Sequence, residues 1–402
     1  MGRSGDSRWL RSSGLLEEDA PMLNKTRMET RLAQAGTRRD AGTGSVSTPI
    51  YQTAPFAHAS LGQTSGFDYS RTSNPTRLAL EEALAAADGG DRAFAFASGL
   101  AAIDCVLRLF SPGDRLVATE DLYGGTFRLF EKVYRPLGIE TIFVDTTDPD
   151  AVERALADPL VRGLFIETPT NPLLKIADVR ALAALARARK VLTIVDNTFL
   201  TPYLQRPLEL GADIAVYSAT KFLAGHNDVV AGAVVTNTPE HSERIAFLQN
   251  AVGGILGPQD SWLTLRGLKT LPLRMQKQQE NAARIAEWLT RQPRVRKVYY
   301  PGLPKHPGRD ILIGEGAGFG GMISFEVEDP ARVASILSGV KVFLFAESLG
   351  GVESLITYPA VQTHADIDPA TRTRLGINNR LLRLSIGIEN ASDLIDDLDR
   401  VL

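Results

Sequence analysis

Three short runs in this 402-residue chain put reactive side chains directly behind apolar segments. Ser98-Gly99-Leu100 follows Phe94–Ala97, Asp196 follows Val191–Val195, and Ser218-Ala219-Thr220-Lys221 follows the run ending at Tyr217. In open α/β sheets, functional side chains gather just beyond the carboxyl ends of strands. Ser-Gly at the start of a helix offers an anion free N–H groups and a positive dipole end, although a plain N-cap uses the same residues. A carboxylate behind a buried strand needs a cationic partner, unless it simply caps a helix. A lysine flanked by two hydroxyls is either a surface residue or one whose burial favours the neutral, nucleophilic amine. In the second case Ser218 and Thr220 could hold phosphate oxygens.

Taken together, these runs point to one chemistry. A phosphate-binding turn, an aspartate for a protonated pyridine nitrogen and an imine-forming lysine are what pyridoxal 5'-phosphate requires. The three occur in that order on successive strand–helix units.

The elements that position them are legible as alternation. Apolar β-type runs at Phe94–Ala97, Arg115–Thr119, Thr141–Val144, Leu164–Ile166, Val191–Val195, Ile214–Tyr217 and Ala233–Val235 alternate with helical segments. Near-continuous apolar character suggests strands buried on both faces of a mostly parallel sheet. A long helix is expected from about Gln278, with Ile285, Trp288 and Leu289 at helical spacing. Strands at Met322–Val327, Val342–Phe345 and Leu382–Ile386, with helices at Ala331–Leu337 and Asp393–Leu402, make a second, smaller α/β unit. Ahead of the sheet, the Gly-, Thr-, Ser- and Pro-rich stretch from Glu29 to about Leu80 is longer than an ordinary loop. It reads as an extended arm that needs a surface, such as a partner subunit. Residues 1–27 lack the apolar core of a signal peptide and read as a disordered leader or an over-long start. The expected division is arm 28–85, cofactor domain 86–280 and small domain 281–402.

Composition narrows the function. Hydrophobic residues make up 44% and charged residues 23%, an ordinary globular balance. With 44 Lys and Arg against 47 Asp and Glu, a net charge of -3 gives no electrostatic case for nucleic acid or an acidic membrane. No apolar run approaches the roughly 20 residues of a membrane helix, and a cytoplasmic location is expected. One cysteine, Cys105, permits no intrachain disulfide and reads as core. The five histidines have no metal-ligand spacing, so no metal is expected.

The run Asp213-Ile-Ala-Val-Tyr-Ser-Ala-Thr-Lys221-Phe-Leu-Ala-Gly-His226 resembles the lysine signature of the Cys/Met-metabolism family of fold-type I enzymes. The resemblance covers about Thr30 to Leu402. It implies an aspartate-aminotransferase-like α/β fold and a tetramer built from two catalytic dimers. Tyr69-Ser70-Arg71, with Asn74-Pro75-Thr76, is similar to the arm motif whose Tyr and Arg reach the phosphate in the neighbouring subunit's site. Ser98-Gly99-Leu100 matches the phosphate turn, with Leu100 where Met is more common. Tyr123 matches the tyrosine that stacks on the pyridine ring, and Asn171 the asparagine near the phenolic oxygen. For Asp196 the match is the ring-nitrogen partner, for Arg383 the clamp on the substrate α-carboxylate, and for Ser348 a serine beside the reactive lysine.

The reaction class follows from the same resemblance. Glu347 and Arg128 resemble the distal-group residues of cystathionine γ-synthases and γ-lyases. Gly125 stands where methionine γ-lyases commonly have cysteine. Glu347 to Ile388, with Ile356-Thr-Tyr-Pro359 and Thr363-His364-Ala365, resembles bacterial γ-synthases and β-lyases. The favoured expectation is γ-replacement, in which O-acylhomoserine and cysteine give cystathionine. β- and γ-elimination from cystathionine stay open, as does a cofactor-binding protein without turnover. The expected partners are small amino-acid substrates and further copies of the chain.

Overall fold

The computed structural model describes residues 26–37, 39–362 and 369–402. All of the expected leader but residues 26 and 27, and the Thr363-His364-Ala365 motif, lie outside them. Seven strands form the larger sheet: β1 (Arg92–Phe96), β2 (Arg115–Thr119), β3 (Glu140–Val144), β4 (Val161–Glu167), β5 (Leu192–Asp196), β6 (Ile214–Tyr217) and β7 (Gly232–Thr236), in the order β1-β7-β6-β5-β4-β2-β3. The core of this sheet is parallel, and β7 alone runs antiparallel to both of its neighbours. The reason is local. A parallel return needs a crossover of a dozen or more residues, usually a helix, and the loop from Ser218 to Ala231 contains none.

Alternation along the strands fills both faces. On β1, Phe94 and Phe96 join a cluster with Ile103, Val106 and Phe165, while Ala93 and Ala95 point the other way toward Leu80, Leu84 and Leu268. Period-2 geometry sends neighbouring residues to opposite faces, and helices cover both sides.

Five further strands form the second sheet: β8 (Val295–Tyr299), β9 (Met322–Val327), β10 (Leu344–Phe345), β11 (Leu355–Thr357) and β12 (Leu381–Ser385), in the order β10-β11-β12-β9-β8. Apart from β10 and β11 its pairs are antiparallel. Leu382 and Leu384 of β12 enter an apolar cluster with Ile285, Leu289, Phe325 and Leu394. Arg383 and Ser385 therefore face the opposite side, where Ser324 Oγ donates to Pro172 O at 2.7 Å. The polar face of the small sheet is thus laid against the carboxyl ends of the large one.

Several expected boundaries shift. The long helix begins at Leu271, ahead of the expected start near Gln278, with Pro272 in its first turn, and runs to Leu289. Only Leu344–Phe345 of the run Val342–Phe345 pairs as a strand. The N–H groups of Lys341, Val342 and Phe343 all bond the buried Asp397 carboxylate instead. Strands β8 and β11 and the helices Pro239–Val252 and Pro258–Leu268 were not expected from the sequence. From Arg39 to Asn74 the described residues form no helix or strand beyond isolated bridges, and Val46, Leu61 and Tyr69 are exposed. Arg77, which is buried, holds the end of this arm by donating to Ser70 O at 2.7 Å and Arg71 O at 3.3 Å.

One buried cation pins the loop after β6. Arg274 donates to Phe222 O at 2.6 Å, Leu223 O at 3.2 Å and Gly267 O at 2.8 Å. No carboxylate lies within ion-pair distance of it among the described residues. Gly225 fits beside it at φ +70°, where a Cβ would come within 2.0 Å of the guanidinium. Arg274→Met should leave the Phe222 and Leu223 carbonyls without this donor, while Gly267 O keeps the Thr270 N–H and hydroxyl, and destabilise the fold by about 3 kcal/mol. Urea unfolding checks this: the midpoint should fall while the slope stays constant.

Candidate active site

A cavity of about 350 Å³ opens where the carboxyl ends of β1, β4, β5 and β6 meet the polar face of the second sheet. Ser98 caps the helix Gly99–Leu107, accepting from Ala101 N at 3.1 Å, and Leu100 also lines the wall. Gly99 is required by packing, because a Cβ there would meet Ser218 Cα and Oγ at 3.0 Å. The anion-facing helix start and the Ser218 hydroxyl are thereby brought side by side. Thr220 also lines the cavity, but its hydroxyl bridges Ala231, donating to O at 3.1 Å and accepting from N at 2.9 Å.

Lys221 Nζ donates to Ser348 Oγ at 2.7 Å. Burial, aided by the nearby Arg383 cation and opposed by Glu347, lowers its pKa to about 8. Ser348 holds its position in a left-handed backbone conformation, φ +92°, a region uncommon for non-glycine residues. On the same cavity lining, Asp196 Oδ1 accepts from Thr198 N at 3.0 Å and Thr198 Oγ1 at 2.6 Å. Burial raises its pKa to about 6, and no described cation lies within ion-pair distance. A desolvated carboxylate without a cation is suited to a charged ligand nitrogen.

Arg383, 1% exposed, donates to Asn171 Oδ1 at 2.8 Å, Ser348 O at 2.9 Å and Thr357 Oγ1 at 3.3 Å. Burial lowers its pKa to about 10. Its partners are neutral oxygens, so its charge is available to a carboxylate. Tyr123 stands 40% exposed at the start of the short helix Gly124–Arg128. Gly125 leaves its ring room, because a Cβ there would meet the ring at 2.4 Å. Glu347 lies on the same wall.

The structure therefore gathers most of the expected residues, with three exceptions. Arg128 is exposed and is not among the residues lining the cavity. Tyr69 and Arg71 also lie outside it. Arg71 sits 5.5 Å over the Tyr69 ring and donates to Asn250 O at 2.6 Å. Three supporting residues received no role from the sequence. Thr198 holds Asp196, Thr357 holds Arg383, and Glu167 ends β4 beside Asp196. Only Glu167 carried a signal, as a second acid closing a buried strand. Among the described residues no His, Cys, Asp and Glu cluster could hold a metal, and no helix is long and apolar enough to cross a membrane.

The family model for Cys/Met metabolism PLP-dependent enzymes matches residues 29–402. A cystathionine gamma-lyase of Bacillus subtilis is 51% identical over 93% of this chain and 98% of its own length. A cystathionine beta-lyase of Lactococcus lactis is 50% identical over 94% and 99%. The crystal structure of cystathionine gamma synthase from Xanthomonas oryzae in complex with aminoacrylate and cysteine superposes with a TM-score of 0.92 at 44% identity, covering 94% of this chain and 97% of that one.

The lowered pKa of Lys221 sets a measurable pH profile. Only the neutral amine attacks an aldehyde, so reactivity rises with pH through the pKa. Reductive methylation of the chain alone should label Lys221 half-maximally near pH 8, against about 10.4 for an ordinary lysine. Mass-spectrometric site mapping reads this out. A profile like that of the other lysines would mean the amine is not desolvated.

Proposed function

The chain belongs to the Cys/Met-metabolism family of pyridoxal-phosphate-dependent enzymes, and on that footing we propose that it makes cystathionine by γ-replacement on an O-acylhomoserine. The residues fit the cofactor. The helix start at Ser98-Gly99-Leu100 and the Ser218 hydroxyl would cradle a phosphate, and Thr220 would join them by turning its hydroxyl from Ala231 O. Asp196 offers an uncompensated carboxylate to the ring nitrogen, Tyr123 and Asn171 flank the site, and Lys221 is the attachment point. When bound, pyridoxal phosphate supplies an electron sink for charge developing at the substrate α-carbon.

The protein's own part follows from its groups. Arg383 binds the α-carboxylate bidentately and fixes the α-carbon. Lys221 takes the α-proton and moves it along the substrate. Ser348 Oγ is placed to hold the Lys221 amine once that amine is free. The acyloxy group leaves from Cγ as a carboxylate, the cysteine sulfur bonds to that carbon, and the thiol proton is given up to the site. Tyr123 is a second proton carrier.

The observation that carries this reading is a cavity with two opposite recognition charges. Arg383 is a buried cation with no acid in ion-pair distance among the described residues, and Glu347 is an acid on the same cavity wall. Such a pair suits an amino acid bearing a second, distal amino group, as cystathionine does. Arg128 ends outside the cavity wall, so reading a distal carboxylate would require its side chain to turn toward the mouth. Elimination from cystathionine is the second reading, and the lyase activities named for the Bacillus and Lactococcus relatives favour it.

The arm belongs to the same proposal. Tyr69 and Arg71 lie away from their own cavity and serve the site of a neighbouring copy, which makes the catalytic unit a dimer and the assembly a dimer of dimers. A cytoplasmic location fits the buried free thiol of Cys105.

Product analysis decides the reaction. O-acylhomoserine plus cysteine should yield cystathionine, and omitting cysteine should give slow release of 2-oxobutyrate. Rapid cleavage of cystathionine with no effect of cysteine would make the protein a lyase, with pyruvate marking β-elimination and 2-oxobutyrate γ-elimination. Complementation tests the arm. Arg71→Ala and Lys221→Ala, each inactive, should regain partial activity when co-assembled, because one mixed site receives both intact residues. Hybrids as inactive as their parents would refute action across the interface.

A further inference from the structure

Glu167 closes β4 where Asp196 closes β5, and the two are paired in register on adjacent parallel strands. Its carboxyl group is buried, 6% exposed, on the cavity wall. Glu167 Oε2 accepts from Tyr123 N at 2.9 Å, and the backbone N–H of Asn171 approaches the same carboxyl group. Its own N–H is fixed by Thr119 Oγ1 at 3.1 Å. One side chain therefore touches the backbone of two expected site residues and stands beside a third.

We propose that Glu167 is a positioning residue, a single buried carboxyl group that sets Tyr123 and Asn171 through their backbone N–H groups and holds them in register with Asp196. The inference rests on the roles assigned above to those three residues. A neutral packing residue would not serve, because two amide donors would lose their acceptor in a dry site. The acids facing Glu167 are Asp196 on β5 and Asp121 beyond β2, the latter bonded by Thr170 Oγ1 at 2.6 Å. No described cation reaches Glu167 within ion-pair distance. Burial and these two acids hold its pKa well above the usual carboxylate range. A protonated carboxyl still offers acceptor oxygens, so the two amide bonds do not require its charge. The same group links both sides of the site, since Asn171 Oδ1 in turn accepts from Arg383. A shift at Asn171 would disturb the carboxylate clamp as well as the Tyr123 loop.

The test uses the full chain with Glu167→Ala and Glu167→Gln. In the chain without cofactor, hydrogen exchange at the Tyr123 and Asn171 amides should accelerate about 10- to 100-fold in the alanine variant, and return near wild type in the glutamine variant, which keeps an acceptor oxygen. In the loaded enzyme, kcat should fall about 10- to 100-fold for alanine and KM should rise as the Arg383 clamp shifts, with glutamine restoring most of both. Unchanged exchange at both amides in the alanine variant would overturn the proposal. So would equal acceleration across all of β4 and β5 in both variants, which marks a packing role alone. Borohydride trapping of the cofactor on Lys221 in the wild type tests the underlying site reading separately. Label on a different lysine would reject that reading while leaving the exchange result to stand or fall by itself.

Discussion

A guanidinium buried among neutral oxygens organises this molecule. Arg383 of the small sheet reaches Asn171 in the loop after β4 of the large sheet, Ser348 in the loop after β10 and Thr357 on β11. Each bond offsets part of the cost of keeping a charge away from water, and none cancels the charge. The two sheets are held at the distance those bonds allow. The uncancelled charge also helps keep the Lys221 amine unprotonated, so recognition and reactivity share one source.

The same cavity lining carries the complementary imbalance. Asp196 and Glu167 stand side by side at strand ends, both desolvated and both pushed above the usual carboxylate range. Parallel strands make this arrangement easy, since residues at equal heights on neighbours project to the same edge. The antiparallel β7 contributes in another way. Its short return keeps the whole loop from Ser218 to Ala231 at the reactive edge, with Arg274 bonding the carbonyls just behind Lys221.

Much of this was legible in residue order. Asp196 and Lys221 each close an apolar run, and strand periodicity alone places them at one sheet edge. Arg383 was conspicuous as a charge inside Leu-Leu-Arg-Leu, where alternation forces it out of the apolar cluster and against whatever lies opposite. What stayed hidden depends on contacts distant in sequence. Thr357 and Thr198 are ordinary hydroxyls until Arg383 and Asp196 arrive. The strand β11 is three residues long and defined by its neighbours rather than by its own pattern. The run Val342–Phe345 has strand composition, yet Asp397 on a later helix takes its amide donors. Arg128 shows the converse, because a motif position does not fix where a long side chain ends.

Ser348 joins two requirements that select different residues. A φ of +92° favours glycine, with asparagine and aspartate tolerated better than other side chains. The bond to Lys221 asks for a small hydroxyl. Threonine has the hydroxyl but is β-branched, which this backbone region disfavours most. Glycine relaxes the backbone and removes the partner. The overlap of the two sets is close to serine alone, so a library randomised at this position would return a nearly fixed letter.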